Sequence, residues 1–257
     1  MNRLVSLVPC ISYSLLRLGA GNRLVGVTRY CPLQSGPSPS PSPSPDVSPQ
    51  PAVVGGIHDI DFELLASLKP DLVLADPEEN GRANIERLRR EFPLEQVVVK
   101  NVNDSLEHLR RLGAILGALE EAERLVRRFR RMSELQSADR SGRGVAPAQP
   151  IEGLRRVAVL VWNAPWMAVG QGTYADALLE HRGMRNVVKV AGYPRVELDE
   201  LAALAPDTVL LPSEPCDFTA ADESRLARAF GPKGARLQRC DGRDLFWYGA
   251  WMAGAVG

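Results

Sequence analysis

Short apolar runs alternate with helical patterns along most of the chain. The segments between these runs place apolar residues three and four positions apart, which is the spacing of amphipathic helices. This alternation is typical of an α/β protein whose mainly parallel sheets are covered by helices. The apolar runs predict strands at Leu4–Val8, Leu24–Val27, Leu72–Ala75, Gln96–Val99, Val157–Trp162, Val187–Val190 and Thr208–Leu211.

One segment of the sequence is repeated later in the chain. Residues 63–74 align without gaps on residues 199–210, and each copy reads as a short helix that ends at Pro-Asp before an apolar strand. A weaker match aligns residues 15–27 with residues 178–190. The repeat predicts two similar Rossmann-like lobes, although other α/β proteins also reuse helix-Pro-Asp-strand units.

The stretch with the strongest helical pattern lies between the two halves. Residues 104–136 carry apolar side chains at helical spacing, and a helix of that length is a rod of roughly 45 Å. A Pro/Ser tract precedes the first copy of the repeat and reads as an exposed loop. We therefore predict an N-terminal lobe at 1–103 with an insertion at 33–52, an interlobe helix at 104–136, a flexible linker at 137–154 and a C-terminal lobe at 155–257.

Composition and charge narrow the class of protein. The 257 residues include 31 basic and 31 acidic side chains, so the formal net charge is zero and a nucleic-acid surface is not expected. No apolar run reaches about 18 residues, so no segment is expected to span a membrane. The apolar start of the chain is interrupted by Pro9 and Arg17, and we read it as a first strand rather than a signal peptide.

Motifs for catalysis and metal binding are missing from the sequence. The four cysteines form no CxxC pair and the three histidines no HxxxH pair, so a metal cage is not expected. GxSxG, GxxxxGK[ST] and a GxGxxG after a strand are also absent, which argues against an enzyme. His58 beside Asp59 remains a candidate base or axial metal ligand, or an exposed loop histidine.

Ligands of open parallel sheets collect outside the carboxyl ends of the strands. Loops that leave predicted strand ends are rich in aromatic residues, which offer flat, rigid surfaces to a large planar ligand. The tryptophans alternatively fill the core of the second lobe. The residues of these loops that we select as ligand-binding candidates are Tyr30, Gly56, Ile57, His58, Trp166, Met167, Tyr193, Trp247 and Tyr248.

Several short segments, in this order and spacing, resemble one protein family. They are residues 4–9, 18–21, 25–31, 54–56, 68–74 and 241–248. Together they are similar to the cobalamin and iron-chelate binding proteins of ABC importers, and most similar to the cobalamin-binding branch. The resemblance implies two α/β lobes joined by one long backbone helix. It implies a monomeric, non-enzymatic receptor without an intrinsic cofactor, which captures cobalamin or a related corrinoid or metal chelate between its lobes and hands it to a permease.

The resemblance also implies roles for individual residues. Glu63 and Asp199 match the carboxylates that dock to the permease, although a carboxylate at a helix start also suits simple capping. Tyr193 and the loops of Trp166-Met167 and Trp247-Tyr248 match aromatic residues around the corrin ring, whereas Ile57 stands where some relatives have tryptophan. Members of the family are exported, which implies a periplasmic or cell-surface protein. The sequence as given begins at the first predicted strand without an export signal, so either its start is trimmed or misplaced, or the chain is a cytoplasmic relative.

Two other functions remain open. An iron-siderophore or haem receptor needs cationic side chains for an anionic chelate, and Arg29, Arg195 and Arg243 are the candidates. A cytosolic metallocofactor-processing protein on the same architecture is the other possibility.

Overall fold

Two units, each with its own sheet, make up the protein. The structure is a computed structural model that describes residues 1–33, 50–141, 155–232 and 234–254. The first unit contains the described residues of Met1–Val99, Asn103–Arg131 and Tyr248–Gly257, and the second contains those of Lys100–Val102 and Met132–Trp247. The α/β class predicted from the alternation of apolar runs is confirmed.

The first unit is built on a five-stranded parallel sheet. Its strand order is β3-β2-β1-β4-β5, and the interior strand β4 is buried along its whole length. Apolar residues of both faces pack beneath helices, which is why these strands read as continuous apolar runs. The elements are β1 (Leu4–Ser6), α1 (Pro9–Arg17), β2 (Leu24–Val27), β3 (Ala52–Val53), α2 (Phe62–Ser67), β4 (Leu72–Ala75), α3 (Pro77–Asn80), α4 (Arg82–Glu91), β5 (Leu94–Gln96), α5 (Val102–Leu116) and the start of α6 (Leu119–Ser141).

The second unit is built on a mixed sheet with the order β10-β9-β6-β7, in which β8 also pairs with β6. All pairs are parallel except β6 with β7, which form an antiparallel hairpin. The sequence did not predict β7 or the edge strand β10. It also predicted a strand at Val187–Val190, whereas the structure has the strand β8 just before this segment, at Met184–Asn186. The elements are β6 (Arg155–Asn163), β7 (Trp166–Ala168), α7 (Tyr174–His181), β8 (Met184–Asn186), α8 (Leu198–Ala203), β9 (Thr208–Pro212), α9 (Ala220–Phe230), β10 (Arg236–Cys240) and α10 (Arg243–Phe246).

The predicted single helix at 104–136 is wrong, because the structure has two helices there. α5 ends at Leu116, Gly117 adopts a positive φ of 72°, and α6 begins at Leu119. A Cβ at Gly113 would lie 2.6 Å from Cβ of Ala122, so glycine is needed where the two helices approach each other. Within α6 the chain passes from the first unit, which includes Arg131, into the second, which includes Met132.

The two predicted loop segments lie largely outside the described residues. Within the insertion predicted at 33–52, residues 34–49 are not described, and its last residue, Ala52, begins β3. The linker predicted at 137–154 starts too early, because α6 continues to Ser141. Residues 142–154 are not described.

The end of the chain packs on the first unit, so the C-terminal lobe predicted at 155–257 is too long. Trp251 is buried and its ring meets that of Tyr13 edge-on at 5.2 Å. The backbone N–H of Ala250 donates to Oγ of Ser14 over 3.0 Å. Burial of this apolar segment against α1 explains why it belongs to the first unit.

The sequence repeat corresponds to the same construction in both units. α2 ends before Lys69 and α8 ends before Ala205, both with a positive φ, and in each unit Pro-Asp then leads into a central strand. Oδ2 of Asp71 accepts from the backbone N–H of Arg3 over 3.1 Å, and Oδ2 of Asp207 accepts from that of Arg156 over 2.8 Å. Helix and central strand are thereby tied at the amino ends of the strands.

The arginine of each pair completes this tie. Arg3 donates from Nη2 to the carbonyl oxygen of Leu68 at 2.6 Å, and Arg156 donates from Nη2 to that of Leu204, also at 2.6 Å. These carbonyls belong to the last turns of α2 and α8, where they have no partner within the helix. We name this arrangement the Arg-Asp tie.

Candidate functional site

In the first unit, the loop after β2 and the loop after β3 meet at the carboxyl end of the sheet. The backbone N–H of Arg29 donates to the carbonyl of Gly55 over 2.9 Å. The Arg29 side chain donates from Nη2 to Oδ2 of Asp59 over 2.6 Å. Tyr30 follows in the first loop with 57% of its surface exposed. The structure therefore brings Tyr30 and the loop of Gly56 and His58 to one end of the sheet.

The loop that contains Gly56, Ile57 and His58 is held by two asparagines. Nδ2 of Asn80 donates to the carbonyls of Leu7 and Ile57, each over 3.0 Å, and Nδ2 of Asn84 donates to that of His58 over 2.9 Å. Gly56 is buried, Ile57 is half-buried and the His58 side chain is exposed. The loop is fixed through its backbone, which leaves the imidazole accessible to a ligand.

Tyr248 does not belong to an exposed aromatic loop. It is buried, and its hydroxyl donates to Oδ2 of Asp76 over 2.8 Å. Burial raises the pKa of the Tyr248 hydroxyl, and it also raises the pKa of the neighbouring Cys10 thiol. Tyr248 thus fixes the end of the chain to the strand end at Asp76, and its selection as a ligand contact is corrected to an internal structural role.

A buried histidine lies beside Tyr248. The rings of His108 and Tyr248 meet edge-on with 5.7 Å between centroids, and Nε2 of His108 is buried without a hydrogen-bond partner. Burial, together with the charge of Arg111, lowers the pKa of His108 to about 4. His108 is therefore neutral at physiological pH. Its place among apolar helix positions was the one feature of the sequence that indicated its burial.

In the second unit, the β6–β7 hairpin carries Trp166 and Met167. The Trp166 ring stacks on that of Phe218 with 6.3 Å between centroids and a 4° interplanar angle. Met167 is half-buried, and it packs against a different apolar cluster of the second unit from the one that Trp166 contacts. Part of each side chain therefore fills the core, as the alternative interpretation of the tryptophans expected. Trp162, on the same hairpin, keeps 44% of its surface exposed.

The loop of Tyr193 runs beside this hairpin. The backbone N–H of Val196 donates to the carbonyl of Trp166 over 3.0 Å, and Met167 forms an isolated bridge with Arg195. A Cβ at Gly170 would lie 2.0 Å from the carbonyl oxygen of Val190, so the two segments require glycine at their contact. Tyr193 has 39% of its surface exposed. The structure therefore brings the Trp166 and Tyr193 loops together.

Trp247 lies at the other edge of the second sheet, after β10. Its side chain hydrogen bonds to Glu214, and burial raises the pKa of that carboxyl group. The Arg243 guanidinium lies 5.9 Å from the centre of the Trp247 ring. Nη2 of Arg243 donates to Oδ2 of Asp241 over 2.6 Å. Sequence patterns did not reveal that Glu214, on the loop after β9, would be part of this group.

Glu63 and Asp199 occupy equivalent places in α2 and α8. Each is the second residue of its helix and is exposed. The α2 cap is made by Asp61, whose side chain accepts from the backbone N–H of Leu64, so Glu63 does not cap its helix by a side-chain hydrogen bond. Neither carboxylate forms an ion pair within the part of the chain that the structure describes.

Two features of the described residues bear on metal ligands and on helices that could span a membrane. Those residues contain no group of three or more His, Cys, Asp or Glu side chains arranged to hold a metal ion. Their four cysteines are all free thiols. None of their helices is long and apolar enough to cross a membrane.

The chain is similar to known proteins that are named for the binding of vitamin B12 or heme. The vitamin B12-binding protein of Pectobacterium atrosepticum is 24% identical over 216 residues, which cover 81% of this chain and 71% of that protein. The periplasmic vitamin B12 binding protein BtuF of Vibrio cholerae has a similar fold, with a TM-score of 0.75, 18% identity and coverage of 99% of this chain and 93% of that one. A periplasmic heme binding protein from Pseudomonas aeruginosa gives a TM-score of 0.73, 22% identity and coverage of 98% and 88%.

The family comparison decides the class of protein. The model of the periplasmic binding protein family matches residues 4–142, which is more than half of the chain. The protein is accordingly a substrate-binding transport protein and not an enzyme. The family resemblance inferred from the short sequence segments is confirmed, and the chain belongs to the periplasmic binding protein family.

Proposed function

We propose that the protein binds cobalamin or a related corrinoid and delivers it to an ABC importer. The observation that carries the proposal is a set of exposed aromatic rings at the carboxyl ends of the strands in both units. Tyr30 in the first unit and Trp162 and Tyr193 in the second remain 57%, 44% and 39% exposed. Large exposed rings on backbone segments that hydrogen bonds hold in place suit contact with a flat ligand.

The charges near these rings favour a neutral ligand over an anionic one. Two of the three arginines expected to hold an anionic chelate are already paired, Arg29 with Asp59 and Arg243 with Asp241. Arg195 is exposed. Cobalamin carries neutral carboxamides around its corrin ring, whereas haem carries carboxylates. The vitamin B12-binding relative supports the same choice.

Titration of the full chain with cyanocobalamin tests the proposal. We expect heat of binding, a change in the visible spectrum of the corrinoid and a rise in Tm at tens of micromolar ligand, because a ligand that binds only the folded state stabilises it. Absence of all three signals would reject cobalamin as the ligand.

Variants at Tyr193 test where the ring binds. We expect Tyr193→Ala to weaken cyanocobalamin binding by roughly threefold to tenfold, because a ring contact contributes about 0.5–1.5 kcal/mol. Tyr193→Phe keeps the ring and should bind nearly as well as the original chain. Equal affinities for the alanine and phenylalanine variants would remove Tyr193 from the site.

Delivery to the importer is assigned to the exposed carboxylates of Glu63 and Asp199. The two side chains occupy the same position of equivalent helices, which suits a permease with two related docking surfaces. The double variant Glu63→Gln, Asp199→Gln should keep its affinity for the ligand and lose uptake in cells that carry the permease. Normal uptake would exclude these residues from docking, and a lost affinity would place them at the ligand instead.

Haem is the second candidate ligand, and the exposed imidazole of His58 is the observation that favours it. A histidine nitrogen is a common axial ligand of haem iron. Haem that binds through His58 should give a Soret spectrum that changes in the His58→Ala variant. Competition between haem and cyanocobalamin for one site decides between the two ligands.

A further inference from the structure

The ion pair between Arg29 and Asp59 lies on the face of the first unit where Tyr30 is exposed. Nη2 of Arg29 is 2.6 Å from Oδ2 of Asp59, and Nη1 is 3.3 Å from Oδ1. Two nitrogens of the guanidinium therefore donate to the two oxygens of the carboxylate. The two side chains are 47% and 65% exposed. The Arg29 guanidinium also lies 5.7 Å from the centre of the Tyr30 ring.

The backbone around the ion pair is shaped to accommodate it. A Cβ at Gly56 would lie 2.2 Å from Oδ1 of Asp59 and 2.6 Å from Nη1 of Arg29, so no side chain fits at position 56 without displacing the pair. Gly55 has a positive φ of 98°, and a Cβ there would lie 2.2 Å from the carbonyl oxygen of Asp59. Both glycines are thus required by the local path of the chain beside the pair.

The Arg29–Asp59 ion pair is not explained by a contribution to the stability of the fold. Exposed ion pairs contribute little to the free energy of unfolding, because solvent screens them and ordering two long side chains costs entropy. The pair does change what the surface offers to a ligand. It holds N–H donors of Arg29 next to acceptor oxygens of Asp59, and its net charge is zero.

We propose that the Arg29–Asp59 pair is a charge filter that selects chelates with neutral carboxamides and rejects those with carboxylates. A primary carboxamide has an N–H donor and a carbonyl acceptor, so it complements a donor next to an acceptor. A carboxylate in the same place would face the Asp59 carboxylate, and like charges at short range repel. This inference rests on the proposed function and names the ligand group that the first unit recognises.

The probes are cyanocobalamin and its monocarboxylic acids, in each of which one peripheral carboxamide is replaced by a carboxylate of almost the same shape. We expect the original chain to bind at least one of these acids about tenfold more weakly than cyanocobalamin. The Asp59→Asn variant keeps the shape of the side chain and leaves the charge of Arg29 uncompensated. It should bind that acid more tightly than the original chain does and should not gain affinity for cyanocobalamin, so that the preference for cyanocobalamin over the acid falls by about tenfold.

A matched control removes a carboxylate from another exposed ion pair. Glu91 pairs with Arg87 over 2.8 Å at the end of α4, and the Glu91→Gln variant changes the net charge by the same amount. Its preference for cyanocobalamin over the acid should equal that of the original chain. An equal change in both variants would mean that total charge, rather than the Arg29–Asp59 pair, sets the preference, and would overturn the inference.

The outcomes separate this inference from the proposed function. If the original chain binds cyanocobalamin but no acid shows a changed preference in Asp59→Asn, the charge filter is wrong and the proposed function stands. If the original chain prefers a carboxylic acid from the outset, the filter is also wrong. If it binds none of the corrinoids, both the proposed function and the filter are rejected.

Discussion

The two units are alike at the amino ends of their strands and different at the carboxyl ends. The Arg-Asp tie recurs in both, through Arg3 and Asp71 in the first unit and Arg156 and Asp207 in the second. At the carboxyl ends, the first unit has an all-parallel sheet, whereas the second adds the antiparallel β7. The shared ends build the scaffold, and the ends that differ are those where α/β sheets bind ligands.

The two units also differ in which residues pack at the carboxyl ends of their strands. In the first unit the buried carboxylate of Asp76 accepts a hydrogen bond from Tyr248, which the end of the chain supplies from far away in sequence. In the second unit the buried ring of Phe218 stacks on Trp166 from the hairpin. The first unit therefore depends on a contact from the last described residues, while the ring stack of the second unit is formed by residues that lie between β6 and α9.

The largest expected effect tests this dependence of the first unit. Trp251→Ala removes a buried ring that packs on Tyr13, and we expect the free energy of unfolding to fall by about 3–5 kcal/mol. Urea denaturation followed by circular dichroism measures it. Hydrogen exchange should accelerate first in peptides of α1.

The matched control for that variant is a tryptophan of the second unit. Trp162 is 44% exposed, so Trp162→Ala should cost less than about 1 kcal/mol. Comparable losses from the two substitutions would contradict the view that only the first unit is completed by the end of the chain.

A smaller effect concerns pH and again distinguishes the two units. The pKa of His108 is about 4 in the folded chain because burial disfavours its charge, against about 6.5 when it is exposed by unfolding. The unfolded chain therefore binds the proton more readily between these values. Stability that is fully present above about pH 6.5 should be lost as the pH falls toward 4, by about 3 kcal/mol from this residue.

Two variants attribute that loss to the buried ring. His108→Phe keeps an aromatic ring beside Tyr248 and cannot titrate, so the fall in stability between pH 6.5 and 4 should become shallower. His181 of the second unit is exposed and hydrogen bonds to Ser133, and His181→Gln should leave the fall as it is. Unfolding free energies at pH 7, 5.5 and 4.5 measure both. An unchanged fall in His108→Phe would reject this assignment.

Sequence patterns predicted the parts of the fold that depend on local composition. Leu24–Val27 and Leu72–Ala75 are strands with the predicted bounds, because continuous apolar runs between turn residues have few other stable conformations. The break between α5 and α6 was missed, since a glycine within a helical pattern is compatible with a continuous helix. β10 was missed because Arg236 and Arg239 interrupt its apolar pattern at the edge of the sheet.

The candidate site was predicted as a set of loops and not as a set of contacts. Tyr30 and Tyr193 were selected because rings on loops are poor core material, and both are exposed. Tyr248 was selected for the same reason and is buried, because its partner Asp76 lies 172 positions away in sequence. The Arg29–Asp59 pair was missed for the same kind of reason, since only the fold brings the two loops together.

The smallest expected effect tests whether the Arg-Asp tie contributes equally to the stability of the two units. Asp71→Ala and Asp207→Ala each remove the acceptor of a backbone N–H in the Arg-Asp tie, at Arg3 and Arg156 respectively. Because both carboxylates are exposed and water replaces part of each hydrogen bond, we expect each Tm to fall by only about 2–4 °C. The losses should be similar in size and should add in the double variant, since the two ties share no residue. A loss confined to one unit would show that the repeated sequence has kept its geometry but not its contribution to stability.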